Sequence, residues 1–406
     1  MVGWSGRRKA LTILLFILPT ILGLIIFNVY PMVLNTYVSF TNRNKFHPNP
    51  DCEAGLNSIL APTCWSVFKD KAPTGLGQPY GVVDPVLKNY TDLFGQLFSA
   101  PAAIALLSIV VCLVPLWGAY QVDKRLEQQI TRTIPTWLVW VGGILLALLL
   151  AWVLNVRGAY GELISTGDFM VVVMRTLLFV VIRVPFSFLI GLVLALILSS
   201  EQLPGKTFFR VVLFVPWAAS SVAILMALVW QFFFREQGTI NQVLLAIANI
   251  KGPIWLNNPV YAFGVVILVD LWFSYPFFMI AILGALAGIP GELYEAAEVD
   301  GATYLEQLGQ ITLPLIRPAI LPAIVLTSIT AFQMFGTVWA LTTGGPIQGA
   351  GQPGATEFVM VYAYKQIFQL QNYGRATAFA VIIFIFLFAA TLYSLRVTRI
   401  TKGAFE

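Results

Sequence analysis

The sequence predicts an all-α fold, a polytopic helical membrane protein of about eight transmembrane helices, and three observations carry that prediction. Hydrophobic residues make up 58% of the chain and charged residues only 11%, against about 25% charged in ordinary soluble proteins. Mean hydropathy is +0.81, so the chain has too little polar surface for a water-soluble globule. Apolar runs long enough to cross roughly 30 Å of hydrocarbon recur at 11–32, 101–121, 136–154, 169–198, 208–233, 260–288, 319–341 and 376–396. The net charge of +5 fits basic residues gathered in loops on one side of a bilayer. It does not call for nucleic acid, which is not expected as a partner.

The first segment, 1–40, begins with the basic stretch Met1 to Lys9 and continues into an apolar run too long for a signal peptide, with no small-residue cleavage site. It reads as a retained first span. With the N-terminus inside, inner segments carry Arg7, Arg8, Lys9, Lys124, Arg125, Arg132, Lys206, Arg210, Arg317, Arg396, Arg399 and Lys402. Short outer loops carry only Arg157, Arg235, Lys251 and Lys365, with Arg375 at a span boundary. The positive-inside rule therefore places both termini in the cytoplasm of a cell (inner or plasma) membrane protein.

Segment 41–100 follows as an extracytoplasmic loop region rich in Pro, Gly and Asn. Cys52 and Cys64 both fall in it, and a disulfide between them would contribute about 3 kcal/mol in the chain-entropy view. Cys112 lies in an apolar run and reads as a small buried hydrophobe. Asn89-Tyr-Thr91 has the form of a glycosylation sequon. Segment 101–168 is an additional hairpin of two spans around the charged loop Asp123 to Thr133, with few polar residues, as expected of spans that face lipid.

The remainder, 169–406, differs in kind. Prolines sit in or near its spans (Pro185, Pro216, Pro276, Pro322), and polar or ionisable residues lie inside them, among them Arg183, Ser220, Ser221, Asp270, Ser274, Thr327, Thr330 and Gln333. Interrupted or polar helices at membrane depth face protein or a water-filled cavity. Arg183 and Asp270 are the deepest charges, each costing about 2.5–3.5 kcal/mol to insert, and are read as gating or structural charges. Thr327, Thr330, Gln333 and Thr337 share one helix face by their spacing. With Trp217, Trp272, Phe273, Tyr275 and Phe277 nearby in sequence, they form a set that suits a sugar: aromatic faces for C–H bonds, hydroxyls and amides for oxygens. The alternative for each polar residue is helix–helix hydrogen bonding.

Between the sixth and seventh spans lies the one long mixed-polarity stretch, 289–318. Pro290 suits a helix start, Glu292, Glu295 and Glu298 place negative charge near the N-terminus, and Gly301 can take the left-handed stop. A second helix is expected over Ala302 to Ile311, ended by Pro314. Gly205-Lys206-Thr207 echoes the end of a P-loop, but Ser200 occupies the place of the first glycine and no strand precedes it. No catalytic set is present: the single histidine, His47, has no partner motif, and no metal site is expected. The chain itself is not read as an enzyme.

The stretch Tyr294-Glu-Ala-Ala-Glu-Val-Asp-Gly-Ala302, with Ile311-Thr-Leu-Pro-Leu315 after it, resembles the EAA loop of ABC importer permeases. Glu-Ala-Ala, three residues, Gly, nine residues and Ile-x-Leu-Pro follow at that family's spacing. Phe208 to Pro216, Leu341-Thr-Thr-Gly-Gly-Pro346 and the last span resemble the carbohydrate (maltose/trehalose-type) branch, over about residues 169–402. The resemblance implies a type I ABC importer permease fold, a second permease subunit, two cytoplasmic ATPase subunits that bind ATP and Mg, an extracytoplasmic sugar-binding protein and a di- or oligosaccharide. No cofactor is implied for this chain. It further implies ATPase coupling through Glu295, Ala296, Ala297, Glu298, Asp300 and Gly301. By position it implies sugar contact at Trp217, Ser221, Phe273, Ser274, Phe277, Thr327, Thr330, Ala331 and Met334. Lys88 to Phe94 resembles the segment that in six-span relatives leads straight into the span equivalent to 169–198, so 101–154 is an insertion relative to them. The alternative function is an ion-coupled secondary transporter, for which Arg183 and Asp270 would be coupling charges; such folds carry internal symmetry, and none is visible between the halves.

Overall fold

The computed structural model describes residues 7–47, 80–95, 100–127, 135–166, 168–200, 203–349 and 352–398. Cys52 and Cys64, with the disulfide expected of them, lie outside these residues, as does Arg132. The described residues contain eight helices long and apolar enough to cross a membrane. They are Thr12–Val38 (span 1), Ala103–Leu126 (span 2), Thr136–Val153 (span 3), Met170–Ser199 (span 4), Lys206–Phe233 (span 5), Pro259–Leu286 (span 6), Tyr304–Phe332 (span 7) and Tyr373–Tyr393 (span 8). Among the described residues no strand forms, and extended pairing is confined to isolated bridges of Thr41 with Val82 and Asn44 with His47. Two compact units divide the chain: Met1–Gly95 with Ala363–Phe388, and Gln96–Tyr362 with Ala389–Glu406.

In the first unit, span 1 passes through a π turn at Ile25–Val29 just before Pro31. A proline ring clashes with the carbonyl four residues back, and the widened turn accommodates it. Beyond Val38 the chain is held by side chains: Asn89 Nδ2 donates to the carbonyls of Ser39 and Thr41, both at 2.8 Å. The sequon asparagine is therefore engaged within the protein. Gly374 closes the arrangement, because a Cβ there would lie 2.1 Å from the Thr41 carbonyl oxygen. Arg43, fully buried, lies 5.4 Å from the Tyr80 ring centre and 5.5 Å from that of Tyr373.

The second unit is built around span 6. More than half of its apolar window, 56%, is buried, against 6% for span 3. Span 6 packs closely on span 4 at Gly191, where a Cβ would come within 2.6 Å of Phe278 Cβ. A small residue at the crossing lets two membrane helices approach. Spans 2 and 3 pair in the same way at Gly143, which faces Ala119. Span 2 breaks at a turn over Cys112 and Leu113, just ahead of Pro115. A helix not expected from hydropathy, Val156–Thr166, follows span 3. It joins span 2 and span 4 in a small core of Ala105, Leu163 and Val171.

Span 7 corrects two expectations. In place of a helix over 302–311 stopped by Pro314 and a separate span over 319–341, one continuous helix runs from Tyr304 to Phe332. Its Leu308–Thr312 turn is π-helical and covers Gln310, four residues before Pro314, so the widened turn accommodates the proline as Ile25–Val29 does in span 1. The helix then breaks over Gln333 to Phe335 and restarts as the short Gly336–Thr342 helix. Gly336 allows the restart to sit against span 5, since a Cβ there would lie 3.0 Å from Ile224 Cγ1. Thr337 thus belongs to a different helix from Thr327 and Thr330.

Candidate functional site

Two backbone breaks of the second unit face one cavity of about 350 Å³. In span 5, α-helix gives way after Pro216 to a 3-10 turn at Ala219–Val222, which brings Ser220 and Ala223 to the wall beside Trp217. In span 7, Leu326, Thr327 and Thr330 line it before the break, and Met334, Gly336 and Thr337 after it. Span 6 supplies Asp270, Phe273, Ser274 and Phe277, and span 4 supplies Arg183. Irregular backbone at membrane depth is stable only where protein or a wet cavity receives it, and both breaks here meet that condition.

Of the positions expected to contact sugar, Trp217, Phe273, Ser274, Phe277, Thr327, Thr330 and Met334 come together on this cavity. Ser221 and Ala331 do not line it. The Ser221 hydroxyl donates to the Ala218 carbonyl at 2.9 Å, and Ala331 is fully buried in the packing of its helix. Ala223, Leu326 and Gly336 are wall residues that sequence reasoning missed, because small and apolar side chains in a membrane span carry no polar signal.

The wall combines aromatic surface with oriented oxygens. Trp217 is 42% exposed, its ring 5.0 Å from that of Phe214. Thr327 and Thr330 donate their hydroxyl hydrogens back to the carbonyls of Ala323 (2.7 Å) and Thr327 (3.0 Å). Each hydroxyl oxygen then has lone pairs left to accept from a ligand. Ser274 and Ser187 share a hydrogen bond of 2.7 Å.

Arg183 and Asp270 meet directly, Nε against Oδ2, with side chains 7% and 2% exposed. A second guanidinium nitrogen donates to the Thr327 carbonyl at 3.0 Å. One arginine thus ties spans 4, 6 and 7 together at the cavity wall. Pairing offsets much of the penalty of burying two charges, and it makes the loss of either partner far worse than the loss of both. The pair also cancels its own charge, so the cavity wall is polar but carries no net charge from these two residues.

The stretch expected to couple to an ATPase, Glu295 to Gly301, is exposed and locally determined. The Glu292–Val299 helix begins with Glu292 and Glu295 in its first turn, where carboxylates are stabilised by the helix dipole. It ends in a Schellman motif: Ala302 N–H donates to the Ala297 carbonyl (2.9 Å), and Gly301 N–H donates to that of Glu298 (3.0 Å). Gly301 sits at φ +80°, the left-handed region. Span 7 then starts with a capping box between Thr303 and Glu306. Glu295, Ala296, Glu298, Asp300 and Gly301 are all exposed, Ala297 is half-buried, and Val299 stands 89% exposed. The Tyr294 hydroxyl and Thr312 Oγ1, 3.0 Å apart, fasten the helix to span 7.

Residues 187–402, which hold this helix and most of the cavity wall, match the family described as the binding-protein-dependent transport system inner membrane component. The chain belongs to that family. This inner membrane component is 34% identical over 234 residues to the maltose/maltodextrin transport system permease protein MalF of Vibrio vulnificus (strain YJ016), covering 56% of this chain and 44% of that protein. It is 31% identical over 243 residues to the trehalose/maltose transport system permease protein MalF of Thermococcus litoralis, covering 60% and 79%. A solved structure described as a bacterial alginate ABC transporter in complex with alginate pentasaccharide-bound periplasmic protein is similar at 22% identity and a TM-score of 0.46, over 57% of this chain and 78% of that one. The chain spans less than half of the Vibrio relative, 44% of its length. Eight apolar helices and the family together make the inner membrane component a multi-pass membrane protein. Spans 1 to 3 lie outside the family match, which begins at Ser187.

Proposed function

We propose that this inner membrane component is the permease subunit of an ATP-driven ABC sugar importer. It forms half of the pathway for a di- or oligosaccharide of the maltose/trehalose kind. The observation that carries the reading is the path of span 7. One helix begins at the exposed coupling stretch, is fastened to it through Thr312, and brings Thr327 and Thr330 to the cavity. A push on the Glu292–Val299 helix is thereby delivered to the wall of the cavity.

In this mechanism a second permease subunit supplies the other half of the pathway, and two cytoplasmic ATPase subunits bind ATP and Mg. The 289–318 loop, with Glu295 and Gly301 at its key positions, docks on one ATPase. Closure of the ATPases moves the loop and tilts span 7 against its neighbours, opening the cavity to alternate sides; the sugar-loaded binding protein biases the same two-state switch from outside. Both termini lie in the cytoplasm. An aromatic wall with hydroxyl acceptors and a self-cancelling ion pair suits an uncharged sugar. Family membership favours this reading over an ion-coupled transporter. The test is uptake by proteoliposomes holding the full complex: labelled sugar is expected to enter only with ATP inside and binding protein outside. Uptake driven by a proton or sodium gradient without the ATPase subunits overturns the proposal.

A further inference from the structure

We propose that Arg175 is a positioning residue for the connection that follows the Gly336–Thr342 helix, and that with Tyr160 it fixes how this connection meets the sugar-binding protein. The inference rests on the importer reading and its topology, in which the start of span 4 and residues 343–357 face outside. Arg175 lies near the start of span 4 and is 4% exposed. Its guanidinium reaches far along the chain. One nitrogen donates to the carbonyls of Pro353 (3.1 Å) and Gly354, another to Gln348 Oε1, and Nε to the Tyr160 hydroxyl at 3.2 Å. A planar fork can satisfy acceptors in several directions at once; an ammonium group lacks that fixed geometry.

The connection held in this way is closed on itself. Ala355 N–H donates to the Pro346 carbonyl at 2.9 Å, and Thr356 Oγ1 donates to that of Gly345 at 2.6 Å. Gly354 N–H donates to Glu357 Oε2 at 3.1 Å. Gly354 must be glycine, since a Cβ would come within 2.1 Å of the Gly344 carbonyl oxygen. The residue after Arg175 grips the far end, Thr176 Oγ1 accepting the Val359 N–H at 3.0 Å. Residues 353–358 are consequently buried, while Ile347, next to the gripped Gln348, stands 77% exposed. A lone apolar side chain on a rigid backing is suited to a protein partner, because little order remains to be imposed on binding. Tyr160 belongs to the Val156–Thr166 helix, ahead of the family match. The additional segment thereby gains a task, as the buttress of a docking surface.

The experiment titrates sugar-loaded binding protein against the reconstituted complex and reads ATPase activity, alongside amide hydrogen exchange of residues 354–357. Arg175→Gln is expected to raise the half-saturating concentration by about tenfold, the effect of losing hydrogen bonds to a charged group, while the maximal rate is kept. Arg175→Lys is expected not to restore it, and Tyr160→Phe to give a smaller rise. Ile347→Ser, an exposed change that leaves the core alone, is expected to move half-saturation in the same direction. Exchange at 354–357 is expected to quicken in Arg175→Gln without any binding protein. Unchanged exchange, or a lower maximal rate at unchanged half-saturation, overturns the proposal. Failure of the wild-type complex to respond to binding protein overturns the importer reading instead, and the exchange result still decides whether Arg175 holds the connection.

Discussion

The exposed Glu292–Gly301 stretch and the cavity are joined by one helix but built on opposite principles. The first is a run of consecutive residues, exposed, with its shape set by bonds three to five residues long: a Schellman stop at Gly301 and a capping box at Thr303. The second draws residues from four spans and the short Gly336–Thr342 helix, and it is tied together by a buried contact, Arg183 reaching Asp270 and the Thr327 carbonyl. Local bonds near water are worth about 1 kcal/mol each, whereas breaking a buried ion pair costs about 3–5 kcal/mol. The two regions therefore differ in how they fail. Damage to the cavity tie threatens the fold; damage to the exposed stretch spares the fold and, in the proposed importer, threatens communication with the ATPase.

The largest expected effect follows from that contrast. Arg183→Ala leaves Asp270 buried without its cation and is expected to destabilise the second unit by about 3–5 kcal/mol, read as a fall in unfolding temperature in nanodiscs. The paired change Arg183→Met with Asp270→Leu is expected to recover most of the loss. Equal unfolding temperatures for the single and paired variants would show that the tie is not what holds spans 4, 6 and 7. Next comes Gly301→Val. An L-residue with a branched side chain at φ +80° is strained by roughly 1–2 kcal/mol or more. The fold is expected to survive while ATP hydrolysis no longer drives uptake in the proposed importer. Preserved coupling ratios in proteoliposomes would remove Gly301 from the transmission path.

How much of this was legible in sequence follows the same division. The eight spans are visible because a bilayer demands long apolar runs, and the Glu292–Gly301 stretch is visible because glycine, acidic first-turn residues and the EAA spacing are local signals. The limits of span 7 were not visible. A hydropathy window runs across Gln333 to Phe335 without sensing that the helix breaks there, so it merged the Gly336–Thr342 helix with the end of the span. That error also put Thr337 on the wrong helix. Arg183 and Asp270 stood out as expensive charges, but their contact depends on the crossing of spans 4 and 6 at Gly191, which pattern reading cannot supply. Arg175 carries no such signal, because its acceptors at Gln348, Pro353 and Gly354 lie beyond three intervening spans.

Within the cavity, Trp217→Ala removes the exposed ring at the span 5 break. In the proposed importer the expected result is a half-saturation constant for sugar raised several-fold, consistent with about 0.5–1.5 kcal/mol for one aromatic contact, with assembly of the complex unchanged. Unaltered uptake kinetics would take Trp217 out of the pathway and leave the hydroxyls of span 7 as the main contacts.

The smallest effect sharpens the comparison from the other side. Thr303 and Glu306 cap the start of span 7 through two bonds of 2.7 Å from the Thr303 backbone N–H and hydroxyl to Glu306 Oε2. Thr303→Ala removes one of them and weakens a helix start that lies in water, at a cost of about 0.5–1 kcal/mol. Unfolding temperature should barely move, because the cavity tie is remote from this end of the helix. In the proposed importer, coupling should be measurably looser, because the cap stiffens the joint between the Glu292–Val299 helix and span 7. A substantial drop in unfolding temperature with coupling intact would reverse the assignment: the cap would then belong to the stability of the span, and the bond between Tyr294 and Thr312 would carry the fastening of the Glu292–Val299 helix to span 7.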